Sequence, residues 1–232
     1  MKISESNTCP GAATFHPGSI CNLACVTCGP EASTRWQKEL GIPIVPGNPR
    51  EIDPETISRA KQMTGVVICG GEPILNHSSE VILEHLNVDQ NIRIHFNGTV
   101  MPKQNFLDKS ARFQHIQYCF SIDGVGERFE YLRWPAKWNQ VVDNILWLVD
   151  AAPDNVDFAV NITISQLNKQ YYTEVIDWID QAIPQNKQGR KTVITFNQAG
   201  DNLLSLDYLD SIDKKRNLDW RVLFPKATEY IL

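Results

Sequence analysis

The sequence predicts an α/β fold, an open or partial barrel of six βα units, and three observations predict it. Short apolar runs rich in β-branched residues alternate with longer stretches whose apolar residues recur at helical spacing, the pattern of strands and crossover helices around a parallel sheet. About six such strands are legible, enough for part of a barrel. Glycines and polar side chains also gather just after several of those strands, where βα folds place their ligands.

Taken in order, the strands are expected at 14–15, 65–69, 92–96, 116–122, 156–164 and 192–196. Helical spacing covers 31–40, 79–86, 138–149, 171–182 and 206–216, with Ser78 or Ser79 as the N-cap of the second. The segment 41–49 is rich in proline and glycine and reads as a loop. Residues 1–200 are expected to form the barrel, and 201–232 a C-terminal helix and tail packed on it.

A chain of 232 residues, 42% hydrophobic and 21% charged, can bury a sizeable core as one unit. No apolar stretch approaches the roughly 20 residues of a bilayer span, so no membrane is expected as a partner. Met1 to Asn7 lack the apolar core of a secretory signal, which predicts a cytoplasmic protein with reduced thiols. The net charge is −5 and no Lys/Arg-rich run stands out, so nucleic acid is not an expected partner.

In a reducing compartment, closely spaced cysteines read as metal ligands. Cys21, Cys25 and Cys28 stand in a C-x3-C-x2-C array, bringing three thiolates onto one compact loop after the first strand. Thiolates hold iron-sulfur clusters, and a cubane with three protein ligands keeps one iron open for an exogenous chelator. A zinc site recruiting Cys9, His16 or a distant residue is the alternative, as is a redox dithiol.

The run CNLACVTCGPEAS resembles the signature loop of the radical S-adenosylmethionine (SAM) superfamily, and particularly of its SPASM/twitch branch. The resemblance implies an α/β fold, a partial (β/α)6 radical SAM barrel with a short C-terminal extension. It also implies a [4Fe-4S] cluster on Cys21, Cys25 and Cys28, with SAM as the second cofactor. The family usually carries an aromatic or large residue beside the adenine where this chain has Thr27.

Further motifs extend the resemblance. Gly70-Gly71-Glu72-Pro73 is similar to the family's GGEP turn, where a backbone edge and the carboxylate meet the SAM amino group. Asn97-Gly98 and Ser121-Ile122-Asp123-Gly124 are similar to turns lining the ribose and carboxylate, although read alone Asn-Gly is equally a plain turn signal and Asp123 is alternatively the cap of the next helix. Alternation places Asn161 and Thr163 on one face of the fifth strand with Ala159, a polar face turned inward. Glu130 to Arg133 and Trp138 to Ile145 are similar to stretches of twitch-type members. His95, Arg133 and Gln198 are the expected substrate contacts at the rim. SPASM and twitch enzymes carry later cysteines for an auxiliary cluster, and no cysteine follows Cys119 here, so that cluster is not expected.

The activity implied is reductive cleavage of SAM to a 5'-deoxyadenosyl radical that takes hydrogen from a substrate, with a flavodoxin- or ferredoxin-like protein as electron donor. A peptide or protein is the expected substrate. A nucleoside or other small molecule, or a non-catalytic metal-binding module, are the alternatives. Cys69 and Cys119 fall on strands and read as inert buried thiols.

Overall fold

The computed structural model describes residues 2–5, 11–44, 52–199, 206–216 and 219–227. Seven strands, β1 (Lys2–Glu5), β2 (Ala12–His16), β3 (Gly65–Ile68), β4 (Asn91–Phe96), β5 (His115–Ser121), β6 (Val156–Ile164) and β7 (Val193–Gln198), lie side by side in sequence order. β1 runs antiparallel to β2, and every later neighbour is parallel. The six parallel strands form a half barrel.

The crossovers carry α1 (Thr34–Leu40), α2 (Pro54–Lys61), α3 (His77–His85), α4 (Gln104–Ala111), α5 (Glu127–Leu132), α6 (Trp138–Ala151) and α7 (Tyr172–Ala182). After β7 come α8 (Leu206–Arg216) and the short α9 (Trp220–Leu223). Among the described residues no helix is long and apolar enough to cross a membrane. The expected loop at 41–49 is described only to Ile44, and Cys9 lies outside the described residues.

Side chains alternate across a strand, and the alternation divides the molecule. Phe15, Ile68, Ile94, Phe120 and Val160 point outward into one apolar core shared with the helices. The residues between them face the concave side and are mostly polar. In register across the sheet, Thr14, Val67, Arg93, Gln117 and Asp157 form one row. Nearer the C-terminal ends come His95, Cys119 and Ala159, then Ser121, Asn161 and Thr195, then Thr163 and Asn197. A closed (β/α)8 barrel fills this space with branched aliphatic side chains. Here it is a polar trough.

A second apolar cluster joins Ala24, Val26 and Trp36 to Tyr131, Leu132, Leu209, Ile212, Trp220 and Phe224. It packs α8 and α9 against the loop that carries the three cysteines. Ser78 and Ser79 do not cap α3: they are buried inside it, and Asn76 holds the cap position without a side-chain bond to the helix, its Nδ2 donating instead to Glu72 O at 2.7 Å and Ile20 O at 3.2 Å.

Candidate functional site

The cysteine loop sits between β2 and α1, at the C-terminal edge of the sheet, and is tied down through its backbone. Cys21 N donates to Thr34 Oγ1 at 3.1 Å, and that hydroxyl donates back to Cys21 O at 3.0 Å. Ala24 N and Val26 N donate to the carbonyls of Trp134 and Leu132 at 2.7 and 2.8 Å. Trp36 Nε1 donates to Cys25 O at 2.9 Å. From the C-terminal segment, Tyr208 Oη reaches Val26 O at 3.1 Å and Arg216 Nη2 reaches Ala24 O at 2.6 Å.

Cys25 is buried, and Cys21 and Cys28 are half-buried. Burial pushes the Cys21 thiol up to about 11. The Cys25 thiol is held well above its ordinary value by its hydrogen bond to Cys28 and by burial, and Cys28, which accepts that bond, lies below it. The Arg133 guanidinium favours the thiolate at all three. Among the described residues no three His, Cys, Asp or Glu side chains converge closely enough to ligate a single ion. Thiolates that bind different irons of a cubane need not converge on one point.

Gly70-Gly71-Glu72 leaves β3 alongside the entry to this loop. Gly71 N donates to Gly18 O at 3.0 Å and Glu72 N to Ile20 O at 2.7 Å. A Cβ on Gly71 would stand 2.2 Å from Ile20 O, so only glycine permits the approach. Glu72 is thereby buried, 1% exposed, where its carboxylate accepts from Asn97 N at 2.7 Å and Ile74 N at 3.3 Å. Burial outweighs these bonds and pushes its carboxyl up to about 7. Asn97 extends the chain of contacts: its Nδ2 donates to Asn22 Oδ1 at 2.9 Å and lies 4.0 Å from Cys21 Sγ, and Asn22 Nδ2 donates to Thr99 Oγ1 at 2.8 Å.

At the ends of β5 and β6, Asp123 is buried and caps no helix. Its Oδ1 accepts from Thr163 N at 2.7 Å, and its Oδ2 stands 2.7 Å from Arg133 Nη2. Arg133 is therefore not a rim residue. It is 8% exposed, close beneath the cysteine loop, and its Nε is a buried donor with no hydrogen-bond acceptor among the described residues. Burial opposes its charge, but Asp123, Cys25 and Cys28 together hold its pKa above the ordinary arginine value.

Ser121 and Asn161 are paired on the concave face below this corner, with Thr195 Oγ1 donating to Asn161 Oδ1 at 3.1 Å. His95 lies lower in the trough, and burial with the charges of Arg93 and Arg133 lowers it to about 4. Gln198 is paired with Ile164, whose side chain packs on the outer core, so it is Asn197, opposite Thr163, that shares the trough. Thr27 is half-buried on the cysteine loop. Cys119 is fully buried, whereas Cys69 is half-buried with its Sγ 3.8 Å from His16 Nδ1. The reading from motifs missed Asn22, Thr99 and Asn168, whose Nδ2 ties Asp123 O to Thr163 O at 2.8 and 2.9 Å. Asparagine at a turn is too common to flag them.

No protein-family model and no curated protein matches the sequence. Solved structures do. Streptococcus suis SuiB bound to S-adenosylmethionine superposes with TM-score 0.55 at 13% identity over 92% of this chain and 45% of that one. Native anSMEcpe with bound AdoMet gives 0.54 at 16% identity over 81% and 52%, and TYW1 with a lysine-pyruvate adduct bound gives 0.53 at 13% over 88% and 73%. All three are radical SAM enzymes. The chain thus has the partial barrel of the radical SAM fold, and spans about half the length of SuiB and anSMEcpe.

Proposed function

We propose that this chain is a radical SAM enzyme whose site is the corner between the cysteine loop, Glu72 and Asp123–Arg133. One observation carries the reading. A buried carboxyl with a raised pKa and a buried guanidinium with an orphaned Nε flank three thiols at the C-terminal mouth of the half barrel. Beside these two groups the cofactors would bring charge of the opposite sign. The cluster on Cys21, Cys25 and Cys28 is anionic through its thiolates, which suits the neighbouring guanidinium. The amino group of SAM is a cation of the kind that relieves a buried carboxylate at Glu72. When bound, the pair supplies a 5'-deoxyadenosyl radical that removes hydrogen from a substrate.

The chain's own residues do the rest. Gly70 and Gly71 bring backbone against the cysteine loop, and Asn97, Asn22 and Thr99 hold Glu72 and Cys21 in one network. Thr27, Ser121, Asp123, Asn161 and Thr163 border the space for the nucleoside. The trough below, with His95, receives the substrate and shields it from water. Residues 1–200 act as the barrel and 201–232 as a C-terminal segment that fixes the cysteine loop. A flavodoxin- or ferredoxin-like protein delivers the electron, in a cytoplasmic setting.

A peptide or protein is the preferred substrate, supported by SuiB bound to its precursor peptide SuiA and by anSMEcpe bound to the Cp18Cys peptide. The SPASM/twitch-like motifs point the same way, without the auxiliary-cluster cysteines. The test is anaerobic reconstitution with iron and sulfide, reduction, and incubation with SAM. 5'-Deoxyadenosine should form in the wild type and vanish in Cys25→Ala, and its absence from protein holding four irons per chain sinks the proposal.

A further inference from the structure

Pairing among the charged side chains of the trough and its adjoining loops decides what it can accept. Asp157 is occupied by Arg190 and by Asn186 Nδ2 at 2.9 Å, and Asp123 by Arg133. Both acids are neutralised. Arg93, on β4, has a different partner: its Nε donates to Gln117 Oε1 at 2.6 Å, a neutral amide on the next strand. Among the described residues no carboxylate lies within ion-pair distance of it. Its charge is nevertheless felt locally: it adds to the burial that lowers His95 and partly offsets the burial that pushes the Cys119 thiol up to about 11.

A half-buried guanidinium costs desolvation, and a neutral amide compensates little of it. The cross-strand bond to Gln117 also leaves the two terminal nitrogens, the fork that grips a carboxylate with two parallel bonds. Arg93 lies on the concave side, since Ile92 and Ile94 on either side of it are core residues. It stands four residues below Asn97, about 13 Å along the strand at roughly 3.3 Å per residue. From these placements we infer that Arg93 is the anion subsite of the trough, and that the substrate is an extended molecule bearing a carboxylate several bonds from the carbon held at the mouth. The inference rests on the proposed function only in taking the trough as the substrate floor.

Binding can be read without SAM or reductant. Equilibrium dialysis of radiolabelled glutarate against anaerobically reconstituted protein should show one saturable site per chain, displaced by unlabelled glutarate and not by glutaramide, its neutral isostere. Arg93→Gln, which keeps an amide to pair with Gln117, should weaken binding at least about tenfold, and Arg93→Lys should fall between. Circular dichroism and the cluster's EPR signal should match wild type in both variants. Displacement by glutaramide, undiminished binding in Arg93→Gln, or no saturable binding up to about 20 mM overturns the inference. Glutarate binding without 5'-deoxyadenosine formation would instead remove the enzymatic reading and leave the subsite standing.

Discussion

Replacing Arg216 by methionine should unlock the cysteine loop while sparing the barrel. The guanidinium donates to Ala24 O at 2.6 Å and Tyr131 O at 2.9 Å, and lies over the rings of Trp36 and Trp134 at 5.7 and 5.3 Å. Methionine keeps much of the apolar contact and removes the donors and the charge. Taking the low end for two charge-assisted bonds and two partly exposed cation–π contacts, the tether is worth about 4 kcal/mol, or roughly a thousandfold in a local opening equilibrium. Hydrogen exchange reads this residue by residue, because the amides of Ala24 and Val26 are protected by Trp134 O and Leu132 O across the same junction. Their exchange should accelerate by about two to three decades, while amides of β4 to β6 stay at the wild-type rate. Cluster iron should also pass to a chelator faster. Unchanged exchange at Ala24 and Val26, or uniform acceleration across the sheet, would refute the reasoning.

Alanine at Cys21, Cys25 or Cys28 should abolish iron uptake, whereas Cys69→Ser and Cys119→Ala should retain about four irons per chain by metal analysis, the latter at a cost of about 1–2 kcal/mol in a buried position. Glu72 supplies a pH signature in cluster-free protein. With a folded pKa of about 7 against 4.5 unfolded, the folded state binds the extra proton between those values. Stability therefore falls as pH rises through that window, by at most about 3 kcal/mol, and Glu72→Gln should flatten the dependence in urea titrations at pH 5 and 8. Asp123→Asn strands the buried Arg133 charge and should cost about 3–5 kcal/mol, much of it recovered when Arg133→Met is added, as a double-mutant cycle would report.

The strands were the legible part because their signal is local. β6, nine residues of alternating character, has the bounds its valine and isoleucine pattern predicts. α4 went unseen because Phe106 and Leu107 are the apolar residues it buries, too few to set a period. β1, α2, α5 and α9 were missed likewise, being short. The cysteines and Gly70-Gly71-Glu72 announced themselves through spacing and turn chemistry. Arg133 was singled out but placed at the rim, since its burial depends on its ion pair with Asp123, ten positions upstream, which no local pattern records. Arg216 is separated from Ala24 by 192 positions and contacts only a carbonyl, a kind of bond that leaves no mark on the residue it serves.

From β3 to β7 the division between trough and outer core is one of parity. Even positions such as 66, 68, 92, 94, 116, 118, 120, 158, 160 and 162 belong to the core, and the odd positions between them face the trough. Sequence drift at one set therefore alters what the molecule admits, and drift at the other alters whether it folds. A saturation scan of β4 and β5 scored separately for abundance and for turnover would resolve two interleaved combs, out of phase by one residue. A fold built this way can change what it admits without renegotiating its architecture, a freedom that a closed barrel, with aliphatic layers on the inside as well, does not have.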